Sequence, residues 1–180
     1  DGDTSTNDTV LALASGAAGF DADDGPDALS RFQRCLDQVC LSLAKKIVLD
    51  GEGATKLVEL RVTGAASQKD ASLACDAIAH SNLVKTAVFG QDPNWGRITA
   101  AAGRSGACVD PDKMDLFISG SPLVEKGIWL GPEAEQKAAG AMTQKQILME
   151  LNLNMGTGSD HYFFCDFSPD YVRINADYRT

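Results

Sequence analysis

Glu52 stands between two glycines in Asp50-Gly51-Glu52-Gly53, a single carboxylate on backbone that a ligand can approach closely. Such a group can meet an ammonium or a guanidinium. The same four residues also read as the turn that ends a helix, with Glu52 solvated. Asp92-Pro93-Asn94-Trp95-Gly96-Arg97 joins turn formers to an aromatic platform and a guanidinium, which suits either a binding surface or a structural loop with a half-buried Trp95. Gly156-Thr157-Gly158-Ser159-Asp160-His161 has the composition of a phosphate loop or a Ser-Asp-His cluster. Its spacing fits no P-loop, and triad members adjacent in sequence rarely face one another.

The opening stretch DGDTSTNDT, residues 1–9, offers a side-chain hydrogen-bonding group at nearly every step, so it can hold an ordered turn, line a polar pocket, or run as a solvated tail. Five cysteines at wide spacing and only two histidines, His80 and His161, support neither a disulfide framework nor a zinc site. Reduced thiols in an intracellular compartment are the expectation. No Cys/His pair and no nucleophile elbow marks a reacting group. If the chain belongs to an enzyme, the nucleophile is expected outside it. A net charge of -9 with scattered basic residues argues against nucleic acid, and no stretch approaches the ~20 apolar residues of a membrane span or the pattern of a signal peptide.

The elements that must position these groups follow from periodicity. In 180 residues, 44% of them apolar, one domain can bury its own core, so residues 1–180 are expected to form one globular unit. Val10 to Ala18 is apolar and small, a buried strand or a short helix. Pro26 opens a helix in which Leu29, Phe32, Leu36, Val39, Leu43 and Ile47 recur at three and four, and DGEG ends it. Val58, Leu60 and Val62 alternate with Glu59, Arg61 and Thr63, a strand with one wet face. Ser67 and Asp70 form a capping-box-like start for a helix reaching about His80. Residues 115–119 and 127–130 read as short strands, Pro132 to Met142 as a helix, and Ile147 to Met155 as a strand with Tyr162-Phe163-Phe164-Cys165-Asp166-Phe167 pairing beside it. Gln91 to Arg97 reads as a loop. Helices and strands mix without a βαβ repeat, which favours an α+β fold of mixed sheets and packed helices.

Four segments taken together, DGDTSTNDT, DGEGATK, DPNWGRITAAAGRSG and the terminal CD-x-x-x-x-YVRINADYRT, resemble in content and order the C-terminal part of the ornithine acetyltransferase family, also called glutamate N-acetyltransferase. The resemblance covers essentially the whole chain. It implies an N-terminal-nucleophile-type fold shared between an α and a β chain, made by self-cleavage of a precursor before a threonine that becomes the nucleophile. That threonine is expected upstream of Asp1, with no catalytic residue of its own in this chain, and the opening stretch is expected near the active site. The implied reaction carries acetyl from N2-acetylornithine to glutamate through an acetyl-threonine, in arginine biosynthesis, with the threonine's own α-amine as base.

By the same resemblance, Glu52, Asn175 and Thr180 bind substrate, with no metal and no cofactor. Acetyl-CoA is left open as a further donor. The implied partner is the α chain of the same precursor in an α2β2 heterotetramer, in the cytoplasm or in an organelle matrix. Two other classes compete: a non-catalytic relic or binding protein of the same fold, and an N-terminal-nucleophile hydrolase in which water replaces glutamate.

Overall fold

The structure is a computed structural model that describes residues 2, 3, 5–19 and 25–177, with the side chain of Pro26 also outside the description. It contains two compact units, residues 1–44 and 45–180.

In the first unit the polar opening forms local turns. Ser5 Oγ accepts from the backbone of Asn7 at 3.1 Å and of Asp8 at 3.2 Å, as a hydroxyl does when it mimics a turn carbonyl. Val10 to Ala18, expected as strand or helix, is neither: it carries no regular element, and Val10, Leu11 and Leu13 are exposed. Nothing in the described residues pairs with it as a ladder, and nine residues are too few to hold a helix alone in water. The long helix is present as expected, α1 Pro26–Leu49, which begins in this unit and has its last five residues in the second, with Asp27 in its first turn and Lys46 in its last, both favourable to the helix dipole. Its periodic apolar residues are exposed, Leu29, Phe32, Leu36, Val39, Leu43 and Ile47 among them.

The second unit is built on one six-stranded sheet, β1 Leu57–Ala65, β2 Asp115–Ile118, β3 Ser121–Glu125, β4 Ile128–Trp129, β5 Gln146–Asn152 and β6 Gly158–Cys165, ordered β4-β3-β2-β5-β1-β6. β1 lies parallel to β5 and antiparallel to β6, and every other pair is antiparallel. The fold is therefore α+β with a mixed sheet. Alternation fixes which face is dry: Val58, Leu60 and Val62 of β1 and Ile147, Met149 and Leu151 of β5 point into the core, at 2% exposure or less. Each such side chain contributes about 1.5–3 kcal/mol of burial, so a one-residue slip of either strand would move the whole set into water. The other face is wet. Arg61 pairs with Glu59 at 2.6 Å and reaches Glu150 at 4.0 Å.

Helices α2 Gln68–Ala79, α3 Asn82–Phe89, α4 Trp95–Gly103 and α5 Pro132–Ala141 follow, and α6 Pro169–Asp177 closes the described chain. α2 packs on β1 and β6, α4 on α2, and α5 on β2 and β3. Ser67 caps α2 as the sequence implies: its Oγ accepts from Asp70 N at 3.1 Å and donates to the Asp70 carboxylate at 2.5 Å. The Ser67 hydroxyl, and after it the N–H of Cys108 that donates to Oδ1 at 2.9 Å, hold the Asp70 carboxyl below the usual aspartate value.

Three local expectations are corrected. The segment of Phe163 and Phe164 does not pair beside β5; β1 lies between them, because β6 returns over the sheet edge to meet β1. Residues 95–97 belong to α4 rather than to a loop: Asn94, a turn former in the sequence, serves as the N-cap and accepts from Arg97 N at 3.1 Å. The expected strand at 127–130 shrinks to Ile128–Trp129, and its longer neighbour Ser121–Glu125 was not anticipated, since Pro122 reads as a breaker. Proline is tolerated there at the strand's second residue, beside a register shift against β2.

Candidate functional site

The end of α1 and the start of α6 meet through the segment after β6. α1 stops at Leu49, and Asp50 and Gly51 close the last turn by donating to Lys46 O and Val48 O. Gly53 then takes φ +68°, and a Cβ there would lie 2.7 Å from Tyr171 N and 2.8 Å from Ser168 Oγ. Glycine is required on both counts, the left-handed backbone and the close approach of α6. This turn carries Glu52 outward at the surface, and the next residues, Thr55 and Lys56, lead into β1.

Asp166 anchors that lead. It is 2% exposed, and its Oδ1 accepts from Thr55 N at 2.8 Å and Lys56 N at 2.9 Å while Oδ2 accepts from Thr55 Oγ1 at 2.5 Å. Two residues on, Ser168 Oγ donates to Gly53 O at 2.6 Å. Lys56 is buried as well, its Nζ donating to Met142 O at 2.7 Å and Gln144 O at 3.2 Å.

A second buried cation braces the same segment from α3. Lys85 Nζ donates to Cys165 O at 2.5 Å and lies 4.9 Å from the centre of the Phe167 ring, which stacks on Tyr171 at 4.4 Å. Burial pushes the Lys85 ammonium below the usual lysine value, with Cys165 and Asp166 pulling the other way. Phe167 N donates to Lys85 O at 3.2 Å, so main chain and side chain of Lys85 both hold residues 165–167.

On this base the structure brings together two of the three sequence-derived site residues. Asn175 Nδ2 donates to Glu52 Oε2 at 2.7 Å and to Tyr171 O at 2.9 Å. Both neighbours are pure acceptors, which fixes the orientation of the amide. Its two N–H groups are engaged, so the group it can offer a ligand is Oδ1, an acceptor. The third residue, Thr180, lies outside the described residues.

The other two sequence candidates take structural roles. Arg97 Nη1 donates to Leu83 O at 3.0 Å, and Trp95 packs against the core, so DPNWGR ties α4 to α3. In GTGSDH, Asp160 accepts from Ser72 Oγ at 2.5 Å and His161 lies edge-on to Phe163 on the other strand face. Ser159, Asp160 and His161 are successive residues of β6, so Asp160 points away from both neighbours. Among the described residues no group of histidine, cysteine and acidic side chains could hold a metal, and no helix is long and apolar enough to cross a membrane.

Asp166, Ser168 and Lys85 escaped sequence reasoning. Asp166 and Ser168 lie in or beside the terminal motif, yet nothing in residue type separates a buried, fully bonded aspartate from a solvated one.

Comparison with known proteins adds to this geometry. A family model described as "ArgJ family" matches residues 1–180. The chain is 50% identical over 181 residues to the arginine biosynthesis bifunctional protein ArgJ of Geobacter sulfurreducens, covering 100% of this chain and 46% of that protein. It is 48% identical over 182 residues to the protein of the same name from Geobacillus stearothermophilus, covering 100% of this chain and 44% of that one. The crystal structure of arginine biosynthesis bifunctional protein argJ from Bacillus halodurans superposes with a TM-score of 0.91 at 42% identity, over 99% of this chain and 84% of the other. The chain thus spans about half the length of the curated relatives it matches.

Proposed function

This chain belongs to the ArgJ family, and we propose that it forms the substrate-holding β chain of an acetyltransferase that moves acetyl from N2-acetylornithine to glutamate. The observation that carries the reading is the Glu52–Asn175 hydrogen bond, which joins two of the family-motif residues into one exposed acceptor-rich pair.

The reaction runs in two halves. A threonine upstream of residue 1 attacks the acetyl carbonyl, its α-amine taking the hydroxyl proton. Collapse of the tetrahedral intermediate returns that proton to the departing α-nitrogen and leaves an acetyl ester on the threonine. The α-ammonium of glutamate then gives up a proton to the threonine's α-amine, the freed amine attacks the ester, and collapse of the intermediate leaves N-acetylglutamate, with one proton returned to the threonine oxygen and the other released to solvent. What the two substrates share is a nitrogen on the α-carbon, an amide N–H in the donor and an ammonium in the incoming acceptor. Asn175 Oδ1 and the Glu52 carboxylate are both acceptors, so they suit that nitrogen in either form.

This assignment also meets the difficulty that the substrate tails carry opposite charges. A carboxylate aimed at the tail would favour ornithine and repel glutamate; one aimed at the α-nitrogen serves both. Thr180 is proposed as the third contact. No cofactor is needed in this reading, in which the threonine hydroxyl is the nucleophile and its α-amine the base, and acetyl-CoA is a further candidate donor.

The partner in this reading is the α chain of the same precursor, in an α2β2 assembly. A second chain is supported by the length of the curated relatives, of which this chain spans about half. We place the assembly in the cytoplasm, or in an organelle matrix in a eukaryote.

The test uses the mature two-chain enzyme. Incubated with N2-acetylornithine and quenched with hydroxylamine, it is expected to yield acetohydroxamate, and glutamate added before the quench should remove that yield while N-acetylglutamate appears. Acetate release with no transfer to glutamate would instead indicate a hydrolase, and no trapped acetyl group at all would mean a non-catalytic relative.

A further inference from the structure

We propose that Ser168 and Asp166 are positioning residues that set the separation of Glu52 and Asn175, and through it the affinity of the site for the substrate's α-nitrogen. The inference rests on the reading of that pair given above.

The pair cannot assemble itself. Glu52 and Asn175 are both exposed, and a hydrogen bond between exposed side chains competes with water, so it is too weak to hold a turn and a helix 123 residues apart in sequence. Something buried must fix the two pieces of backbone first. The bonds that do so come from residues 166–168: Asp166 takes the main-chain N–H groups of Thr55 and Lys56, and Ser168 gives its hydroxyl hydrogen to the carbonyl of Gly53, the residue next to Glu52.

Both anchors lie immediately before α6 Pro169–Asp177, and Ser168 O accepts from Tyr171 N at 3.2 Å in its first turn. Tyr171 O is in turn the second acceptor for the Asn175 amide. A continuous run of hydrogen bonds therefore leads from the Glu52 turn, through Ser168 and Tyr171, to Asn175. Gly53 sets how closely the turn may lie on this run: its Cα hydrogen occupies the space where a Cβ would press on Tyr171 N and Ser168 Oγ.

These contacts have two functional consequences. Loss of the Ser168 hydroxyl lets the Gly53 carbonyl, and Glu52 with it, drift from α6 while the sheet stays intact. Substituting Gly53 by alanine pushes the same turn outward with the hydroxyl still present. Two unlike changes should thus produce one kinetic signature, weaker substrate binding with the acyl-transfer step little altered.

The experiment is a mutant cycle on the mature two-chain enzyme, with kcat and KM measured for N2-acetylornithine. Ser168→Ala and Gly53→Ala are each made in the parent and in an Asn175→Ala background, with Asp166→Asn as a third probe. In the parent, each is expected to raise KM by about tenfold with kcat within about threefold. In the Asn175→Ala background the same changes should have almost no further effect, because the pair they position is already broken.

Equal losses in both backgrounds, or a parent-like KM for Ser168→Ala and Gly53→Ala, would overturn the positioning role while leaving the pair's own role intact. A parent-like kcat/KM for Asn175→Ala would overturn the reading of the pair itself. If one variant fails to fold, the remaining two complete the cycle by the same criterion.

Discussion

Asn175 Nδ2 lies 2.7 Å from Glu52 Oε2, although 123 residues separate them in the chain. One sits on a glycine-flanked turn and the other on the last described helix, and the bond turns the amide so that its oxygen is the group left for a ligand. The pair therefore presents acceptors only.

Removing charge from the pair without removing its hydrogen bond should affect the two substrates unequally. In Glu52→Gln the side-chain oxygen can still accept from Asn175, but the anion is gone. KM for glutamate, which arrives as an ammonium, is expected to rise roughly tenfold, or about 1.4 kcal/mol, and KM for N2-acetylornithine, which offers a neutral N–H, by much less. Steady-state kinetics with each substrate varied in turn give the answer; equal effects on both would place the carboxylate elsewhere.

Adding a charge should create a pH dependence. Asn175→Asp sets two carboxyl groups within hydrogen-bonding distance, and like charges that close raise one of the two affinities for a proton. At low pH the shared proton keeps the contact, and as pH rises the second ionisation drives the groups apart. The kcat/KM of this variant relative to the parent is expected to fall steadily between about pH 5 and pH 8; a ratio independent of pH would show that the two groups do not meet.

Asp166 should matter to stability as well as to position. Asp166→Ala leaves the N–H groups of Thr55 and Lys56 without their buried acceptor, a loss of about 2–4 kcal/mol. Urea denaturation of the assembled enzyme should show a lower midpoint at unchanged slope. A midpoint shift under about 0.5 kcal/mol equivalent would mean that water replaces the carboxylate at no penalty.

Lys85 titrates in the opposite sense from a stabilising ion pair. Burial lowers its folded-state value below the unfolded 10.5, so between those two values the unfolded chain binds the extra proton. Its contribution to stability is therefore least favourable at neutral pH and improves as pH rises through the folded value toward 10.5. Parent and Lys85→Met proteins compared by denaturation across alkaline pH should show this gain in the parent only. The same slope in both proteins would assign it to other groups.

The five thiols should differ in reactivity, and Cys75 should be the slowest. Burial, with Asp160 nearby, pushes its thiol up to about 12, and it is 1% exposed, whereas Cys108 is exposed. Iodoacetamide labelling of the native enzyme at pH 8, read by peptide mass spectrometry, should modify Cys108 well before Cys75. Comparable labelling of Cys75 would require that α2 opens readily.

Local rules in the sequence were enough to identify several elements. The three-and-four spacing from Leu29 to Ile47 marks α1, Ser67 and Asp70 mark the start of α2, and Val58 to Val62 mark a strand with one wet face. What escaped depends on distant partners. No residue in β6 says that it will pair with β1 rather than β5, and Asn94 looks alike as a turn former and as a helix cap until the backbone after it is known. The site divides in the same way. Glu52 stood out by its place between two glycines and again in the motif resemblance, Asn175 through the resemblance alone, while the buried Asp166 and the hydroxyl of Ser168 beside them did not, because burial is a property of the assembled fold.

The central claim, that the Glu52–Asn175 pair holds the substrate's α-nitrogen, is tested most directly by competitive inhibition of the mature enzyme with ornithine and with 5-aminopentanoate, which lacks only the α-amino group. The parent is expected to bind ornithine at least about tenfold more tightly, and Asn175→Ala to lose most of that preference by weakening ornithine alone. A preference that survives unchanged in Asn175→Ala and in Glu52→Gln would contradict the account.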